Sequence, residues 1–169
     1  RGHTLIDTVR GTKKEMSSED TAAEVTAGTT QDILSMEADG YRLGTKFNYS
    51  LNEDGQNTVA WNWDMGGSNA TNTNGTIQST VRANAAYGQS IVSYVGNGSS
   101  SQNVGHGLSS APEMVFVKSR DSSGSGFLVR TTAIDGSSDF LELNLTNAKS
   151  DSGVAVPSST VVNLGTSVA

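Results

Sequence analysis

Turn-forming residues interrupt this chain so often that neither a long helix nor a long strand fits between them. Clusters of Gly, Ser, Asn, Asp and Pro close each apolar run after a few residues. Residues 89–95 (QSIVSYV) end at Gly96-Asn97-Gly98, and Asn-Gly tolerates the positive φ of a tight turn. Residues 113–118 (EMVFVK) lie between Pro112 and Ser119-Arg120-Asp121, a length that suits a strand better than a helix. Residues 57–64 (NTVAWNWD) alternate at period two, which puts Val59, Trp61 and Trp63 on one face and Ala60, Asn62 and Asp64 on the other. Further strands are expected at 4–9, 76–81, 127–131, 140–145 and 160–164. This spacing predicts an all-β chain, an antiparallel β-sandwich of jelly-roll type. At most one short helix is expected, over residues 18–27. There Ser17 or Ser18 would cap it, and Glu19 and Asp20 would favour its positive end.

Composition narrows the function classes. Gly, Ser, Thr and Asn make up 74 of 169 residues, about 44% and far above ordinary usage. Cysteine is absent, which excludes disulfides, Cys-type zinc sites, iron–sulfur clusters and thiol nucleophiles. The net charge of −6 and the absence of a Lys/Arg cluster argue against nucleic-acid binding. No apolar run reaches the roughly 20 residues of a membrane helix, so no membrane insertion is expected. No cofactor is expected either. These features favour a β protein of extracellular or particle-surface type.

The sequence also repeats itself. Residues 16–23 (MSSEDTAA) align with 141–148 (LELNLTNA) at an offset of 125, and 41–45 (YRLGT) with 162–166 (VNLGT) at an offset of 121. Residues 3–6 (HTLI) resemble 127–129 (FLV) in character. The expected organisation is the C-terminal part of one unit at 1–66, a junction at 67–87 and the N-terminal part of the next unit at 88–169. On that reading the chain is an excerpt of a longer repetitive protein.

The phrases SIVSYVGNG, VGHGLSSAPEMVFVKSRD, HTLIDTVRG, VAWNWDMGGS and VVNLGTS resemble an uncharacterised repeat family in large virion proteins of tailed phages, marine ones especially. Ser93 stands where that family often has Thr, and Asp64 and Met65 where it usually has Lys and Ala. The resemblance implies a β-rich tail-fibre or surface-appendage component of the virion, and it brings no catalytic residues. For such an appendage the expected partners are other virion proteins and further copies of the chain, with three-fold assembly usual for phage fibres, and the expected target of its loops is a host-surface glycan or protein.

The residues themselves offer few centres for chemistry. Paired carboxylates for hydrolysis need a fixed separation of about 5–10 Å, and nothing marks one pair among 17 acids. His106, in Gly105-His106-Gly107, and His3, at a strand start, read as packed or turn histidines, and no Gly-x-Ser-x-Gly elbow occurs. Residues 52–57 (NEDGQN) lack EF-hand spacing and read as a hairpin turn, and 121–126 as a loop, so no metal site is expected. Five Asn-x-Ser/Thr sequons occur, at Asn48, Asn69, Asn74, Asn97 and Asn144, little above chance for this composition. Trp61 and Trp63 are the only tryptophans. With Val59 they read as core; facing outward beside Asn62 and Asp64 they would form a platform for stacking sugars, or an interchain contact. Tyr94 and Phe116 are expected in the core. The function expected is a non-enzymatic structural module that spaces or presents host-binding loops. A capsid decoration protein and a glycan-binding or depolymerase fibre domain are the alternatives.

Overall fold

The computed structural model describes residues 2–47 and 51–165, and within them the fold is all-β. Sequon Asn48 and Thr166 of the repeat lie outside the described residues. Three strands open the chain as an antiparallel meander, β1 (Thr4–Asp7), β2 (Gly11–Ser17) and β3 (Val25–Thr26). A hairpin follows, β4 (Ile33–Met36) with β5 (Tyr41–Leu43). A second meander holds β6 (Ala70–Asn72), β7 (Ser79–Asn84) and β8 (Gln89–Tyr94). A four-stranded sheet takes β10 (Met114–Val117), β11 (Leu128–Thr131), β12 (Asp139–Glu142) and β13 (Ser150–Asp151) in sequence order. The long-range pairing joins β9 (Asn103–Gly105) to β14 (Val161–Asn163). Every ladder between named strands is antiparallel, which suits the short turns between them.

Local chemistry sets the turns. Asp7 Oδ1 accepts bonds from the Val9 and Arg10 backbone N–H groups (2.9 and 2.8 Å), and Gly11 leaves the turn at φ +107°, open to glycine at little cost. Between the segment that precedes β4 and the one that follows β5 the backbones almost touch. Gly44 N donates to Asp32 O and Thr45 N to Thr30 O (2.7 and 2.9 Å). A Cβ at position 44 would lie 2.1 Å from the Thr30 carbonyl oxygen, and backbone cannot yield there as a side chain would. Gly44→Ala is therefore expected to cost about 2–4 kcal/mol, read as a lower urea midpoint with an unchanged slope.

The first meander shares its register with a second one, strands β11 to β13 of the four-stranded sheet. Shifting β1 by 124 positions and β2 by 125 carries Thr4↔Ser17 and Leu5↔Met16 onto Leu128↔Glu142 and Val129↔Leu141. Shifting β2 and β3 by 125 carries Lys14↔Thr26 and Glu15↔Val25 onto Asp139↔Asp151 and Phe140↔Ser150. The bond from Ser18 N to His3 O has its counterpart from Leu143 N to Phe127 O. The match stops at a bulge between Leu5 and Asp7.

The core is small and aliphatic. Ile77, Val104, Val162 and Leu164 form its centre, with Val92, Tyr94 and Val115 packed against them. It joins β8, β9, β10 and β14 around Ile77, which bridges to Val104. Burial holds the Tyr94 phenol above its ordinary pKa. Met16, Ala27 and Ile33 are buried in the N-terminal part.

Four expectations are corrected. Residues 18–27 are not helical. Asp20 Oδ1 accepts from Ala22 N in a local turn, and Val25–Thr26 pairs with β2 instead. Residues 57–64 form no strand, and their tryptophans are not core. The turn at 52–57 consequently joins no hairpin, although Gly55 has the positive φ of a turn. Phe116 is 54% exposed, because β10 is the outer strand of its sheet and has a neighbour on one side alone.

Candidate functional site

The candidate site is the segment 57–64, which the fold anchors at both ends and leaves bare between. Before it, Asn52 Nδ2 donates to Gly44 O (2.8 Å) and Lys46 pairs with Glu53 (3.0 Å), fixing the chain near β5. After it, the Asp64 carbonyl accepts from Asn84 Nδ2 and Gln89 Nε2 (3.1 and 2.6 Å), on β7 and β8. Asp64 Oδ1 takes the Gly66 N–H (2.8 Å), and the Gly66 carbonyl takes Arg82 Nε (2.8 Å). Among the described residues, 57–63 neither donate nor accept a hydrogen bond.

On this arm Val59, Trp61 and Trp63 are 68, 69 and 61% exposed, and Asn62 is exposed with them. Large apolar groups so placed are costly in water and mark contact surfaces. Trp61 and Trp63 flank Asn62 in the chain, so three exposed side chains follow one another along the arm. Of the four residues singled out from sequence, Trp61, Trp63 and Asn62 are free to touch a partner. Asp64 serves the anchor. Because both tryptophans are largely exposed, Trp61→Ala and Trp63→Ala are each expected to change stability by less than about 0.5 kcal/mol. Urea denaturation followed by circular dichroism checks this, and acrylamide should quench the wild-type fluorescence as it does free tryptophan.

The remaining polar clusters are held inside the fold. Glu15 and Asp32 are fully buried side by side, and both Glu15 oxygens and Asp32 Oδ2 lack a donor from any other residue. Asp32 Oδ1 accepts from Phe47 N (3.1 Å). Burial, then the hydrogen bond and the negative charge of Asp32, push the Glu15 carboxyl up to about 8 against the pull of Lys13. Two carboxylates cannot bond to each other without a proton, so at neutral pH the pair shares one. Buried this way, it cannot meet a substrate, and a period-two acid in the charged run Lys13-Lys14-Glu15 gave no sequence signal.

His106 is buried, with Nδ1 accepting from Leu108 N and Nε2 facing Ser158 O (both 3.1 Å), a pattern that fits a neutral ring with its proton on Nε2. His3 is exposed beside Glu19. Asp135 and the buried Asp139 share Lys149, which holds the Asp135 carboxyl well below its ordinary range. Arg130 is buried and ties β11 to β14 through Asn163 O (2.6 Å), and burial lowers its pKa. It lines a cavity of about 200 Å³ with Leu128, Phe140 and Ser152, a wall with one cationic donor and no base. Among the described residues no group of three or more His, Asp or Glu side chains is placed to hold a metal ion.

No curated protein and no solved structure matches the chain. A family model does, over residues 1–169, and by that match the chain belongs to the family described as a domain of unknown function, DUF7483.

Proposed function

We propose that this chain is a non-enzymatic structural module of a tailed-phage particle, part of a tail fibre or similar appendage. Its exposed aromatic arm makes contact with a host-surface glycan. The observation that carries this reading is the arm itself. Two largely exposed tryptophans stand on a segment pinned at both ends to an all-β scaffold. Indole faces stack on the C–H faces of sugars, and the Asn62 amide between them supplies hydrogen bonds. The virion assignment is supported by the phrases SIVSYVGNG, APEMVFVKSRD and VAWNWDMGGS. Small polar residues suit the role, since they permit many turns and keep a wide β surface soluble.

The same exposed apolar side chains favour one other reading, a decoration protein whose arm clamps a neighbouring capsid subunit. Gold-labelled antibody against residues 88–169, applied to intact particles, separates the two. Label on thin appendages or the tail tip is the expected result. Label spread regularly over the head would replace the fibre reading with the decoration one.

A further inference from the structure

The two meanders of matching register differ at the outer edge of their first strand. β11 is covered there by β10, whereas β1 ends its sheet. Burial follows this difference. Three of the four β11 residues are buried, and all four of β1 are only half-buried.

The backbone directions agree as well. Leu143 N donates to Phe127 O and Thr132 N to Glu113 O, so Val129 turns its polar groups toward β12, while Leu128 and Arg130 turn theirs toward β10. Ser18 N donates to His3 O in the same way, so Leu5 faces β2 and the backbone groups of Thr4 and Ile6 point outward. Arg10 Nη2 reaches the Leu5 carbonyl (3.0 Å), and among the described residues no other strand takes up the Thr4 or Ile6 groups.

We propose that the outer edge of β1 is an acceptor for an extended strand of the β10 type, contributed by another copy of the unit. The side chains fit in register. In the covered meander Val117, Phe116 and Val115 lie opposite Leu128, Val129 and Arg130. On β1 the same strand sets its Val, Phe and Val against Thr4, Leu5 and Ile6, pairs of the kind that stabilise sheets. Pairing ends before Asp7, where the bulge breaks the register and Arg10 holds the carboxylate. The main-chain bonds supply the affinity and the alternating apolar side chains the selectivity, the mode of β-strand addition.

The probe is a capped synthetic peptide spanning residues 112–120 (PEMVFVKSR), titrated into the ¹⁵N-labelled full chain. Saturable shifts should cluster on the amides of Thr4, Leu5, Ile6 and their β2 neighbours. A control peptide carrying Val115→Pro and Phe116→Pro removes amide donors from both edges and should bind at least tenfold more weakly. Three results would overturn the proposal. They are no saturable shift at millimolar peptide, equal binding of the proline control, and shifts confined to β10 and β11. The last would mean that the peptide merely displaces the chain's own strand. None of these outcomes depends on where on a particle the protein resides.

Discussion

Glu24→Ala is expected to destabilise the protein by about 3–5 kcal/mol, among the largest single effects in the chain. Glu24 accepts from Arg10 Nη1 (3.0 Å) and from Arg120 Nε and Nη2 (2.9 and 2.8 Å), and its own N–H donates to Arg120 O (2.8 Å). Arg10 is 5% exposed and Glu24 8%. Removing the carboxylate leaves the Arg10 guanidinium buried with only Asp7 and the Leu5 carbonyl as acceptors. Arg120 reaches from beyond β10 and also holds Ser93 on β8 (3.1 Å), so the cluster joins the first meander to the rest of the chain. Arg120→Ala should cost less, because that side chain is 37% exposed and screened by water. Chemical denaturation of both variants checks the order. Burial raises the Glu24 carboxyl, but the hydrogen bonds from Arg120 and Arg10 outweigh it and leave it below 4.5. Its contribution is thus present above the unfolded value and lost as pH falls through the folded one.

The buried pair Glu15 and Asp32 acts at the other end of the pH range. The Glu15 carboxyl rises from 4.5 to about 8 on folding, so between those values the folded chain holds a proton that the unfolded chain has lost. Stability from this group is full below 4.5 and falls by about 1.4 kcal/mol per pH unit until the folded carboxyl ionises near 8. Above that pH two buried negative charges face each other between β2 and the start of β4. Glu15→Gln keeps the shape, donates an amide hydrogen to Asp32 and cannot ionise. The variant is expected to lose this slope and to exceed wild type in stability by about 1–3 kcal/mol at pH 8. Parallel slopes for the two proteins between pH 5 and 8 would contradict the shared proton.

Strands with β-branched and aromatic alternation were legible from sequence. β8, β10 and β11 rest on Ile91, Val92, Val115, Val117 and Val129, whose side chains need a facing layer. β2 was not legible, because Lys13, Lys14 and Glu15 look solvated until a buried Asp32 supplies the partner. Residues 18–27 carry helix signals at their start, yet Asp20 closes a turn and Glu24 is drawn between two arginines. For residues 57–64 the period was readable and the environment was not. Alternation gives a strand only where another strand accepts its hydrogen bonds, and here none does. The residues of the candidate site therefore stood out in the sequence, while their exposure came from the fold.

The proposed function makes the bare arm the working surface of a phage particle. The direct measurement is host-cell adsorption of particles carrying Trp61→Ala and Trp63→Ala together, with antibody label confirming that the chain is present at wild-type density. The account predicts at least a tenfold slower adsorption with normal label. Wild-type adsorption at normal label would contradict it.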